Sequence, residues 1–165
     1  MKPLLLIDFD HTLFDTDSFK VEAFTDFDHL PEVNLDQYLY KDAIPFINYV
    51  SNHFTPAIFS EGPMPFQQQK IALTKVASLI SPQLTFVYSS SQKNKALKPL
   101  LQSHHVVALI DDKPEFVDFA TNLGLPTIRI TRGKYANQPT TTPPTHSVTS
   151  LQQIIDQDLL THLQS

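Results

Sequence analysis

The sequence contains no cysteine. Disulfides and thiolate metal sites are therefore excluded, and the redox compartment leaves no mark on the composition. No apolar run approaches the length of a membrane span. Ahead of Asp8 stand one lysine and four apolar residues, Leu4 to Ile7, too few for a signal-peptide core. Positive charge is also short: Lys and Arg number 12 against 17 Asp and Glu, for a net charge of −5. That balance gives no general attraction to nucleic acid or to an anionic membrane. The seven histidines show no metal-ligand spacing; His104 and His105 are adjacent and cannot both point one way on a regular element. No internal repeat is present. The expectation is a cytoplasmic monomer forming a single domain over 1–165, since 165 residues with 41% hydrophobic content suffice for one sizeable core.

What is present begins with Leu4-Leu5-Leu6-Ile7-Asp8-Phe9-Asp10-His11-Thr12. An unbroken Leu/Ile run reads as a strand covered on both faces, which has no reason to alternate. Further strands are predicted at Pro56–Phe59, Leu84–Tyr88, Val106–Ile110 and Thr127–Ile130. Helices are predicted near 18–28, at 42–52 and 65–79, after a Ser91 cap with Pro99 inside, from Lys113-Pro114 to Gly124, and from a Ser150 cap through Leu163. Residues 132–149, rich in Thr and Pro, read as an irregular surface connection. Strands alternating with helices predict an α/β fold, a three-layer Rossmann-like parallel sheet of order 3-2-1-4-5. In that order Asp8, Asp10, Asp111 and Asp112 meet at the crevice where the winding reverses. Four carboxylates at one point need a cation or a shared proton.

These residues resemble the haloacid dehalogenase (HAD) superfamily of phosphohydrolases across nearly the whole chain. Asp8-Phe9-Asp10-His11-Thr12 matches its Asp-x-Asp-x-Thr motif, with His11 where glycine is frequent. Ile58-Phe59-Ser60 matches the strand ending in Ser or Thr, and Ile110-Asp111-Asp112 the acidic motif. The motif lysine is Lys93, at the start of its helix, or else Lys95 or Lys98.

The resemblance implies a phosphatase, a phosphoric monoester hydrolase using an aspartyl-phosphate intermediate. Asp8 would be the nucleophile, and Asp10 would protonate the leaving oxygen and then activate water. Thr12, Ser60 and Lys93 would contact the substrate phosphate. Mg²⁺ would be held by Asp8, the Asp10 carbonyl, Asp111 and Asp112. Because halide departure needs no general acid, the second aspartate favours phosphoryl over carbon–halogen chemistry. Residues 15–40 would form a small cap or flap, too short for a cap domain, with an aromatic face that packs on the body or closes over the site through Phe14, Phe19 and Phe24. The expected partner is a small phosphorylated metabolite. The alternatives are phosphotransfer of the phosphomutase kind in the same site, or a non-enzymatic phosphate-binding regulatory module.

Overall fold

The computed structural model describes residues 2–23 and 26–164. In chain order its main elements are β1 (Leu4–Ile7), α1 (Thr16–Glu22), α2 (Ala43–His53), β2 (Thr55–Glu61), α3 (Met64–Ala72), α4 (Val76–Leu79) and β3 (Thr85–Tyr88). There follow α5 (Lys93–Ser103), β4 (Val106–Asp111), α6 (Pro114–Asn122), β5 (Thr127–Ile130), β6 (His146–Val148) and α7 (Leu151–Asp156). The strands form one six-stranded parallel sheet of order β3-β2-β1-β4-β5-β6. The α/β class and the predicted order 3-2-1-4-5 hold, with one strand more.

β1 is apolar throughout because it is covered on both sides. Leu5 and Ile7 join a core with Phe46, Ile47 and Val50 of α2, Ile71 of α3 and Leu151 and Ile154 of α7. Leu6 joins Phe59, Leu109, Leu97 and Leu100 of α5, and Phe116 and Ala120 of α6 on the other face. Each larger side chain buried this way stabilises the fold by about 1.5–3 kcal/mol. Ile7 pairs with Ile58 on one side and Ile110 on the other, so the ends of β1, β2 and β4 reach the same edge together. No described helix is long and apolar enough to cross a membrane.

Several local expectations are corrected. Residues 65–79 form two helices, because the chain turns at Leu73 to Lys75. Ser91 caps nothing: α5 starts at Lys93 behind Gln92, and Pro99 is accommodated inside it. Ser150 does cap α7, accepting from the Gln153 amide, but that helix stops at Asp156 and a 3₁₀ turn follows over Thr161–Gln164. The helix near 18–28 is shorter and earlier, 16–22, capped by Asp15. Phe24 lies outside the described residues.

The 132–149 segment is more regular than its composition implies. It holds a 3₁₀ turn at Gly133–Tyr135 and supplies β6 at the sheet edge. Two buried or capping side chains tie it down. Arg129 of β5 donates to the Tyr135 and Gln138 carbonyls at 2.8 and 3.3 Å, and Asp118 of α6 accepts from the amides of Thr141 and Thr142. Between β1 and α2, the 15–40 stretch contains α1 and 3₁₀ turns at Leu30–Glu32 and Leu35–Tyr38. Phe14 and Phe19 are buried with Tyr38, their rings 5.5–5.9 Å apart, within the main core.

Candidate active site

β1 delivers Asp8 to the sheet edge, where its amide still bonds the Ile110 carbonyl at 2.9 Å. The chain then curls tightly: the amides of Leu13 and Phe14 both return to the Phe9 carbonyl, and His11 takes φ +57°. That curl brings the Asp10 carboxylate round beside the strand end. β4 carries Asp111 and then Asp112 to the same edge, and β2 brings Ser60 and Glu61.

Lys93 lies in the middle of the acids. Its ammonium group donates to Asp8 Oδ1 and to Asp111 Oδ2, each at 2.7 Å, and all three side chains are buried. Lys95 and Lys98 are exposed on the outer face of α5, so the geometry singles out Lys93 among the three lysines. Burial would lower the Lys93 pKa, but the two carboxylates outweigh it and hold the group charged.

Asp10 has its own cation. Lys70 Nζ lies 2.5 Å from Asp10 Oδ1, which also accepts from the Thr16 hydroxyl, and Gln67 Nε2 donates to Oδ2 at 2.6 Å. The same Gln67 amide reaches Ser60 Oγ at 2.9 Å. Burial works to raise the Asp10 pKa, but Lys70, Thr16 and Gln67 together bring it below the ordinary value.

Asp8 moves the other way. Burial raises its pKa well above the usual carboxylate range, and Asp111 adds to this, against the pull of Lys93. Asp112 is pushed up to about 9 by burial and then by Asp111 and Asp8. Asp8, Asp111 and Asp112 each offer an oxygen within 4.8 Å of the others, and Asp112 Oδ2 is buried without a hydrogen-bond partner among the described residues. An all-oxygen cluster with an orphaned lone pair suits a hard divalent cation. Four carboxylates against two ammonium groups leave two formal negative charges when all are ionised, which such an ion neutralises.

A small cavity of about 50 Å³ opens over Asp8, Lys93, Asp111 and Asp112, with His11 and Tyr135 on its wall. A cleft of about 410 Å³ shares Asp10, His11, Glu61 and Tyr135 with it and extends past Gln67 and Lys134. A larger hollow of about 530 Å³, lined by Asp15, Ser18, Tyr40 and Arg132, contains none of the sequence-predicted residues.

Asp8, Asp10, Lys93, Asp111 and Asp112 thus share one small cavity, with Ser60 joined to Asp10 through Gln67. Thr12 is placed differently: it is fully buried, its hydroxyl has no partner among the described residues, and its carbonyl accepts from Arg132. Sequence reasoning missed Gln67, Lys70 and Thr16. The only trace was the i, i+3 spacing of Gln67 and Lys70, which puts them on one face of the helix after Ser60.

No family model and no curated protein matches the sequence. Solved structures do match over nearly the full length. A haloacid dehalogenase-like hydrolase from Burkholderia xenovorans is 17% identical, with TM-score 0.78 over 95% of this chain and 96% of that one. The HAD-hydrolase YfnB of Bacillus subtilis, solved bound to magnesium, is 12% identical, with TM-score 0.65 over 94% and 97%. The L-2-haloacid dehalogenase RSc1362 is 13% identical, with TM-score 0.67 over 99% of each. Strand order, the convergence of acids at the sheet edge and these likenesses agree: the chain is built on the haloacid dehalogenase-like fold.

Proposed function

We propose that this protein is a Mg²⁺-dependent phosphoric monoester hydrolase that works through a phosphorylated Asp8 on a small phosphorylated metabolite. The observation that carries this reading is the pairing of Asp8 and Asp10. They stand two residues apart in one cleft, and each has its own lysine. Environments that push two carboxylate pKa values apart suit them to different roles.

Lys93 engages Asp8 Oδ1, which directs attack on phosphorus to Oδ2. Lys93 also brings positive charge to where the phosphoryl oxygens would lie. Ser60 Oγ accepts from Gln67, so its own proton is available to a phosphoryl oxygen. Asp10 then takes the proton of the water that hydrolyses the phosphorylated Asp8. Its lowered pKa keeps it ionised and so able to accept that proton. Asp8, Asp111 and Asp112, with the Asp10 carbonyl, are the residues that would hold Mg²⁺, which when bound offsets the repulsion between phosphate and carboxylates.

One of the similar structures is a haloacid dehalogenase. Expulsion of halide needs no general acid, the first role that the resemblance gives the second aspartate, whereas Asp10 is present and held in place by three donors. That favours phosphoryl over carbon–halogen chemistry. The test is hydrolysis of 4-nitrophenyl phosphate with Mg²⁺, with EDTA, and by the Asp8→Asn protein. Turnover that needs both the metal and Asp8 supports the reading. Full activity in Asp8→Asn, or turnover of an L-2-haloacid in place of the phosphoester, defeats it.

A further inference from the structure

Lys70 is a buried ammonium group with a single carboxylate partner among the described residues, Asp10. It lies 5.1 Å from the centre of the Phe14 ring, 5.6 Å from that of Phe9 and 6.0 Å from that of Phe19. A cation taken out of water into an aromatic pocket is costly unless it is paired. Such a residue is not part of a solvated helix face. One helical turn away, Gln67 is equally buried and reaches the same carboxylate.

The donors around Asp10 can be counted. An ionised carboxylate has about four lone-pair positions. Lys70 and Thr16 occupy both positions on Oδ1, and Gln67 occupies one on Oδ2. Every one of these neighbours donates, so Asp10 is held as an acceptor with a single position left by the described residues, on Oδ2. We infer that Lys70 and Gln67 are positioning residues that turn this remaining lone pair of Asp10 toward the water that hydrolyses the phosphorylated Asp8.

In that step the water oxygen forms a bond to phosphorus and the bond from phosphorus to the Asp8 oxygen breaks. Asp8 is regenerated as a carboxylate, inorganic phosphate leaves, and the water proton passes to Asp10 Oδ2. The first step with an aryl phosphate expels a stable phenolate and draws little on Asp10. Loss of the clamp therefore slows the second step and spares the first. This inference rests on the hydrolase reading above.

The experiment is rapid mixing of wild type, Lys70→Met, Lys70→Arg and Gln67→Leu with 4-nitrophenyl phosphate and Mg²⁺. Lys70→Met is expected to release a burst of nitrophenolate matching the enzyme concentration, followed by steady turnover slowed by about ten- to a hundredfold. Gln67→Leu should show the same pattern more weakly, and Lys70→Arg, which keeps the charge and the donors, should restore most of the steady rate. Should Lys70→Met fail to fold, Gln67→Leu and Lys70→Arg decide between the outcomes. Burst amplitude and steady rate falling together, or a steady rate that does not change, overturns the positioning role while leaving an Asp8-dependent hydrolase intact. Absence of Asp8-dependent turnover in wild type overturns the hydrolase reading and this inference with it.

Discussion

A β-carbon on Gly133 would lie 2.3 Å from Nδ1 of His11, inside the imidazole ring's own space. Gly133 also holds φ +66°, where side chains are strained. The loop after β5 thus closes down on the curl that carries Asp10, and it can do so only where a side chain is missing. Arg132, the preceding residue, completes the contact by donating to the His11 and Thr12 carbonyls.

Gly133→Ala is therefore expected to destabilise the protein by about 2 kcal/mol, from left-handed backbone strain and displacement of the His11 ring. Chemical denaturation would measure it. In a His11→Gly background the same substitution should cost about 1 kcal/mol, since only the backbone strain remains. Equal losses in both backgrounds would show that the two residues do not compete for space.

Arg132 donates from Nη1 alone to both oxygens of Asp42 at 3.0 Å, and its guanidinium lies 3.8 Å above the Tyr40 ring. Asp42 also accepts from the Leu151 amide at the start of α7 at 2.8 Å. One lysine ammonium cannot serve Asp42 and the His11 and Thr12 carbonyls together, nor reproduce the stacking. Arg132→Lys should lower unfolding free energy by about 2 kcal/mol, since the pair is only partly shielded from water. A denaturation midpoint identical to wild type would refute a stabilising role for the Arg132–Asp42 contact.

Removing Lys93 leaves Asp8 and Asp111 facing each other in a dry site. Lys93→Met should cost about 3–5 kcal/mol of stability. A divalent cation would replace part of the lost charge, so added Mg²⁺ should recover more stability in the variant than in wild type. Thermal unfolding with and without Mg²⁺ tests this, and an equal response in the two proteins would contradict it.

The acids also predict a pH dependence. Asp112 binds its proton up to about pH 9 in the folded protein, against 3.8 for an ordinary aspartate. Between those values the folded state holds more protons than the unfolded one, so this group's contribution to stability declines as pH rises. A cation must displace that proton, so Mg²⁺ affinity should climb with pH up to about 9. Asp112→Asn should flatten the climb; calorimetry in buffers of different ionisation enthalpy would reveal the released proton. Asp10 has the opposite sign: its stabilising contribution is present above 3.8 and is lost as pH falls through its lowered folded value.

Much of the molecule is legible in its amino-acid sequence. The runs Leu4–Ile7 and Val106–Ile110 announce buried strands because a doubly covered strand has no polar face to show. The acids after them are legible for the related reason that parallel strands all end at one edge. Thr127–Ile130 and the capped start of α7 are written in equally local terms.

β6 was not legible. His146-Ser147-Val148 is too short to show a period, and it is a strand only because β5 offers an unpaired edge while Arg129 and Asp118 pin the loop beside it. Lys93 was one lysine of three until α5 docked with that side chain inward. Nothing local in Gln67-Gln68-Gln69-Lys70 distinguishes Gln67 and Lys70 from an ordinary polar helix face. Sequence by itself determined which chain segments are apolar, how they alternate, and hence the sheet and its acidic edge. Tertiary structure alone decided which cation meets which acid, because that depends on how helices 18 to 85 residues away in sequence are rotated against the edge, and local periodicity carries no record of it.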